Sequence, residues 1–133
     1  MKKKFSGKQV TQAGKDFACL EELVKDDVKF NHVMAVLSYW RLCHEYPLNI
    51  AWELLRTTVE QVDRNALFAK RLKRYVSIYN KLNRFPDMTL RSMQDIGGCR
   101  VILENKKQLD KSVRLLKKND AFKTPSGRYR TKD

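Results

Sequence analysis

Apolar residues recur at helical spacing through the first half of the chain. Phe17, Leu20, Leu23 and Val24 make one stripe, and Val33, Val36, Leu37 and Trp40 a second, both following a period of about 3.6 residues. This pattern predicts helices, and no strand, between residues 8 and 62. Pro47 in "YPLN" is expected to break the chain. A third helix then carries Leu48, Trp52, Leu55, Val59 and Val62 on one face. Trp40 and Trp52 read as core residues, because large aromatics at this spacing usually pack. Asp26 and Asp27 are placed to end one helix or cap the next.

From Asp63 the pattern changes. A helix beginning near Arg74 has Tyr75, Ile78, Leu82 and Phe85 as its inward stripe. "FPD" closes it, "TLRSM" is at most a turn or two of helix, and "DIGG" is a turn. "CRVILE" (residues 99–104) is the best strand in the chain, apolar, β-branched and bounded by turn residues. Asn105 is expected to cap a helix from Lys106 to Lys118 with Leu109, Val113 and Leu116 inward. The tail "NDAFKTPSGRYRTKD" has turn chemistry at Pro125–Gly127 and room for a further strand. One strand makes no sheet, so either the tail supplies its partners or the chain is part of a longer one. The organisation expected is α+β: a helical region over 1–62 and a mixed core over 63–133, in one continuous domain.

Composition sharpens this picture in one direction. The 133 residues hold 28 Lys and Arg against 15 Asp and Glu, a net charge of +13, which favours polyanionic partners such as nucleotides, nucleic acid or anionic surfaces. Cys19, Cys43 and Cys99 are odd in number and widely spaced, with only His32 and His44 beside them. Neither a disulfide framework nor a zinc site is expected, and a reducing, cytoplasmic setting follows. Met1–Lys4 is basic, but no apolar segment of about 7–15 residues follows it, nor does any run of about 18 apolar residues occur. The chain is expected to be neither exported nor membrane-spanning. "MKKK" itself reads as a solubilising end.

The charge is not evenly spread. Between Arg64 and Pro86 stand seven cations (Arg64, Lys70, Arg71, Lys73, Arg74, Lys81 and Arg84) and no acid. The helix from Arg74 sets Arg74, Ser77, Lys81 and Arg84 beside its apolar stripe. Solvated basic faces usually interleave Glu with Lys at i,i+4, and this one does not. Uncompensated cations aligned with a hydroxyl suit phosphate oxygens. Asp95 precedes the strand, where it either caps a turn or holds Mg²⁺ against a nucleotide's phosphates, since Mg²⁺ takes one or two carboxylates plus substrate oxygens. Gly97 and Gly98 permit positive φ and close approach of a ligand or another chain segment. Arg100 alternates with Cys99 and Val101 on the strand. It is either a surface residue or a planar platform for a base.

Together these residues resemble the synthetase domain of the RelA/SpoT family of alarmone synthetases. The resemblance runs from "RLKRYVSIYNKLNR" (Arg71–Arg84) through "DIGGCRVIL" (Asp95–Leu103) and loosely to the C-terminus. It combines an Arg-x-Lys, a Ser-Ile four residues before Lys-Leu, and an Asp-Ile-x-Gly-x-Arg strand entry. It implies the first strand and helix of a nucleotidyltransferase-like mixed sheet after N-terminal helices. The implied activity is transfer of pyrophosphate from ATP to the 3′-hydroxyl of GDP or GTP, with Mg²⁺ as cofactor.

By position, the resemblance implies that Arg71 and Arg100 sandwich the adenine, that Lys73, Ser77, Lys81 and Arg84 hold the phosphates, and that Asp95 is the metal ligand. Arg84 stands where many relatives have Lys, and Gly97 where many have Ala. Relatives continue past "RYRTKD" into segments that carry the guanine-stacking aromatic and the catalytic Glu. These residues are therefore expected to supply the donor half of the site only, with no catalytic residue of their own.

Two other functions are compatible with the sequence. One keeps the donor site but changes the acceptor to a tRNA 3′ end or an adenine nucleotide, as in toxin-type relatives. The other is a non-catalytic basic module for RNA or a protein partner, since Lys106–Asp133 alone holds ten cations against three acids. Oligomeric state has no signal in the sequence.

Overall fold

The computed structural model describes residues 4–120. Eight elements follow in chain order: α1 (Gly7–Ala18), α2 (Leu20–Leu23), α3 (Asp27–Cys43), α4 (Glu45–Glu60), β1 (Leu67–Leu72), α5 (Tyr75–Arg84), β2 (Gly97–Ile102) and α6 (Lys106–Lys117). The class is α+β. Three helices start on side-chain caps that the sequence offers. Ser6 and Gln9 form a reciprocal capping box on α1, Asp26 accepts from the Lys29 N–H at the start of α3, and Asn105 accepts from the Gln108 N–H at the start of α6. Each such cap is worth about 1 kcal/mol.

The chain forms two compact units. The first comprises the described residues up to Asn49 together with Lys70–Gly98. Its core gathers Val10, Ala13 and Phe17 of α1, Leu23 of α2, Val33, Val36 and Leu37 of α3, Ile78 and Leu82 of α5, and Leu90, Met93 and Ile96 from the connection after α5. Helix α1 packs against both α3 and α5. The close approach is at Gly14, where a Cβ would lie 2.8 Å from the Leu90 Cβ. Burying each of these aliphatic side chains contributes roughly 1.5–3 kcal/mol, so α5 is anchored through Ile78 and Leu82 with its polar face left outward.

The second unit comprises Ile50–Ala69 and the described chain from Cys99 on. Leu55 and Val59 of α4 are buried in it, and Trp52 meets Phe68 edge to face with ring centroids 5.8 Å apart. The Asp63 carboxylate accepts the Asn65 N–H at 2.8 Å and so organises the turn after α4.

The two strands pair as a two-stranded sheet. The Lys73 N–H, one residue past β1, donates to the Ile96 carbonyl, one residue before β2, at 2.6 Å, so the strands are antiparallel. Side chains on β2 alternate, with Gly97, Cys99 and Val101 half-buried and Gly98, Arg100 and Ile102 exposed.

Several expectations are corrected. Pro47 breaks nothing: the chain turns at His44, and Pro47 lies in the first turn of α4, where a missing N–H costs no helical bond. Among the described residues the 99–104 strand has a partner, β1, which the sequence pattern did not mark. β2 also starts two residues earlier than expected. Val24 ends α2 on the surface, and Phe85 follows α5 on the surface rather than completing its inward stripe. On α6, Leu109 and Val113 are exposed, whereas Ser112 is the buried residue. "TLRSM" forms turns, within the turn or two of helix at most that its sequence allows. The strand imagined in the tail, from Ala121 on, lies outside the described residues.

Candidate functional site

The seven candidate residues come from three kinds of element. Arg71 stands on β1 with Lys73 just beyond its end; Ser77, Lys81 and Arg84 are on α5; Asp95 is in the turn before β2, and Arg100 is on β2. Lys73, Lys81 and Asp95 converge. The Lys73 Nζ donates to Asp95 Oδ2 at 2.8 Å, and the Lys81 Nζ donates to Asp95 Oδ1 at 2.9 Å. Fourteen residues separate Lys81 from Asp95 and 22 separate Lys73 from it, so the meeting is wholly tertiary.

Each position has a local cause. Ile78 and Leu82 turn inward and so direct Ser77, Lys81 and Arg84, at spacings of four and three, along a neighbouring face of α5. Ser77 and Lys81 are half-buried, and Arg84 is exposed with its guanidinium 5.4 Å from the Phe85 ring centroid. Lys81 and Arg84 also sit in the last turn of the helix, where cations favour the carbonyl end. Arg71 is exposed. Arg100 is exposed as well and belongs to the second unit. The first unit brings Lys73, Lys81 and Asp95 into contact, and among the described residues neither Arg71 nor Arg84 forms an ion pair.

The electrostatics decide what Asp95 is suited to. Burial pushes its carboxyl up, but hydrogen bonds and charges from Lys73 and Lys81 outweigh burial and hold it below the ordinary carboxylate range. A carboxylate with both oxygens already taken by ammonium groups is a poor proton acceptor near neutral pH. It suits the positioning of the two lysines, and each oxygen keeps a lone pair for a further partner. Two lysines on one carboxylate leave a local surplus of positive charge, and Arg71, Arg74 and Arg84 flank it in sequence. Such a surface takes an anion with several charged oxygens.

Mg²⁺ fits these residues in one form only. Among the described residues no group of three or more His, Cys, Asp and Glu side chains gathers to hold a metal. Asp95 could therefore offer such an ion a single carboxylate, which Mg²⁺ accepts where substrate oxygens and water supply its other ligands. Burial pushes the Cys99 thiol up, which disfavours its thiolate form. Among the described residues no helix is long and apolar enough to cross a membrane.

The glycine corner works differently from expectation. Neither Gly97 nor Gly98 has a positive φ. A Cβ at Gly97 would meet His44 and Leu48 at 3.6 Å, an ordinary contact, and one at Gly98 would meet nothing within 4 Å. An Ala at position 97 is therefore sterically acceptable.

One contributor escaped the sequence reading. Arg41, in the last turn of α3, donates from Nε to the Lys73 carbonyl at 2.9 Å, with its guanidinium 4.5 Å from the centroid of the Tyr75 ring. In sequence it is one cation in "SYWRLC", with no pattern to distinguish it from a surface residue.

Residues 70–132 match the model of a family described as the region found in RelA / SpoT proteins. No curated protein matches the chain. The matched span contains all seven candidate residues and excludes Arg41.

Proposed function

We propose that the chain, whose residues 70–132 match the RelA/SpoT family model, binds Mg²⁺–ATP as a pyrophosphate donor, for transfer to the 3′-hydroxyl of GDP or GTP. The observation that carries this reading is the convergence of Lys73 and Lys81 on Asp95. In the transfer, the acceptor hydroxyl oxygen bonds to the β-phosphorus, the bond from that phosphorus to the α–β bridging oxygen breaks, and AMP leaves. Catalysis of such a step rests mostly on positioning and charge stabilisation.

In this reading Lys73, Ser77, Lys81 and Arg84 bind and align the triphosphate, and Arg71 stacks on the adenine. Asp95 orients the two lysines and supplies the carboxylate for the metal. When bound, Mg²⁺ supplies neutralisation of charge on the phosphate oxygens. No residue here is assigned to the acceptor or to proton removal from its hydroxyl.

Equilibrium binding of a non-hydrolysable ATP analogue with Mg²⁺ tests the site. Affinity is expected to fall in Lys81→Ala and in Asp95→Ala, and affinity indifferent to both changes rejects the assignment. Labelled-phosphate transfer compared on GDP, GTP, ATP and bulk tRNA identifies the acceptor.

A second reading has its own observation. On α6 and its C-cap, Lys107, Lys111, Arg114 and Lys118 are all exposed and fall on one stripe at spacings of four, three and four. Among the described residues none of them forms an ion pair. Like charges at these spacings cost the helix a few tenths of a kcal/mol per pair, a cost that a row of phosphates removes. An RNA-binding role for this face predicts affinity that falls steeply with salt and is independent of Mg²⁺. Binding unchanged when the four residues are replaced by Gln would rule it out.

A further inference from the structure

We infer that Arg41, which lies outside the matched region, is a positioning residue of the nucleotide site and acts through Lys73; this rests on the donor-site reading above. The sheet ends just where a phosphate ligand is needed. β1 stops at Leu72, and the Lys73 N–H is the last backbone donor carried across to the other strand, to Ile96 at 2.6 Å. The Lys73 carbonyl would be an orphan acceptor in a partly buried setting. Arg41 takes that place at 2.9 Å, so both backbone polar groups of Lys73 are fixed, one by the sheet and one by α3.

The same guanidinium stacks on Tyr75, the first residue of α5. One side chain thereby ties the main chain of Lys73 to the start of the helix that carries Ser77, Lys81 and Arg84. The consequence reaches the ammonium group. Lys73 has a long, flexible stem, and its Nζ is held at Asp95 with only 9% of the side chain exposed. A fixed Cα and a fixed end leave few rotamers, which pre-organises the charge before any ligand arrives. A planar, delocalised cation that donates in one direction while stacking in another is an arginine property, and lysine does not reproduce it.

A double-mutant cycle on the full chain, read as the dissociation constant of a Mg²⁺–ATP analogue, tests the inference. Arg41→Ala is expected to weaken binding about tenfold, the scale of one hydrogen bond from a charged donor. In a Lys73→Ala background the same change is expected to matter less than about twofold, because the group through which Arg41 acts is gone. Arg41→Lys, which keeps the charge and most of the apolar stem, is expected to stay impaired, and it serves as the readout if the alanine variant does not fold.

Wild-type affinity in both Arg41 variants overturns the inference. So does a tenfold loss that persists without the Lys73 side chain, since that marks a general structural role. If the wild-type chain binds no analogue, the donor-site reading fails first and the role of Arg41 falls with it.

Discussion

Lys73 and Asp95 meet with Nζ and Oδ2 2.8 Å apart, and the lysine side chain retains 9% of its exposure against 48% for the carboxylate. The pair is therefore asymmetric. Lys73 depends on Asp95 for its charge balance, whereas Asp95 has Lys81 and solvent as well.

That asymmetry predicts unequal substitutions. Asp95→Asn leaves a nearly buried ammonium without its counter-ion and is expected to cost about 1–3 kcal/mol, toward the lower figure because the carboxylate is half exposed. Lys73→Met removes the buried charge itself and is expected to stay within about 1 kcal/mol of wild type. Chemical denaturation of both variants checks the order, and a larger loss in Lys73→Met contradicts it.

The pH dependence follows from the lowered Asp95 value. A carboxyl depressed on folding contributes stability that is fully present above its unfolded value, near 4. That contribution disappears as pH falls through the lower folded value. Thermal melts of wild type and Asp95→Asn between pH 7 and pH 2 are expected to differ most near neutrality and to converge in acid. A constant gap across that range would show that the charge of Asp95 is not what stabilises the fold.

Phosphate binding separates the two basic residues late in α5. Lys81→Ala is expected to weaken a Mg²⁺–ATP analogue at least about tenfold, the scale of a charged hydrogen bond. Arg84 is exposed and rests on Phe85, so Arg84→Lys, which keeps the charge, is expected to change affinity by less than about threefold. Titration calorimetry distinguishes these outcomes, and equal losses in the two variants would mean that the Arg84 guanidinium geometry matters to the phosphates as much as the Lys81 charge does.

Glycine substitutions test the packing independently of ligand. Gly14→Ala sets a Cβ 2.8 Å from that of Leu90, and overpacking of about 1–3 kcal/mol is expected to outweigh the gain of about 1 kcal/mol in helix propensity. Gly98→Ala, with nothing within 4 Å, is expected to be neutral or slightly stabilising. Melting temperatures in the opposite order would mean that α1 does not pack closely on the connection after α5.

The sequence by itself determined the helical first half, the caps at Asp26 and Asn105, and the orientation of α5, with Ile78 and Leu82 inward and Ser77 and Lys81 only half-buried. These are local properties, set by a period of 3.6 residues and by side chains that bond their own backbone. It also placed Asp95 just before a strand. What only the tertiary structure decided is how these parts meet. "LFAKRL" has no alternation to mark it as a strand, and β1 exists because β2, about thirty residues later, pairs with it. The amphipathic pattern of α6 named an apolar face, but burial needs a surface to cover it, and Leu109 and Val113 stay exposed. The burial of Lys73 and the hydrogen bond from Arg41 to its carbonyl were equally hidden. The second answers a backbone carbonyl left over where the sheet ends, a requirement that appears only once the strands are paired.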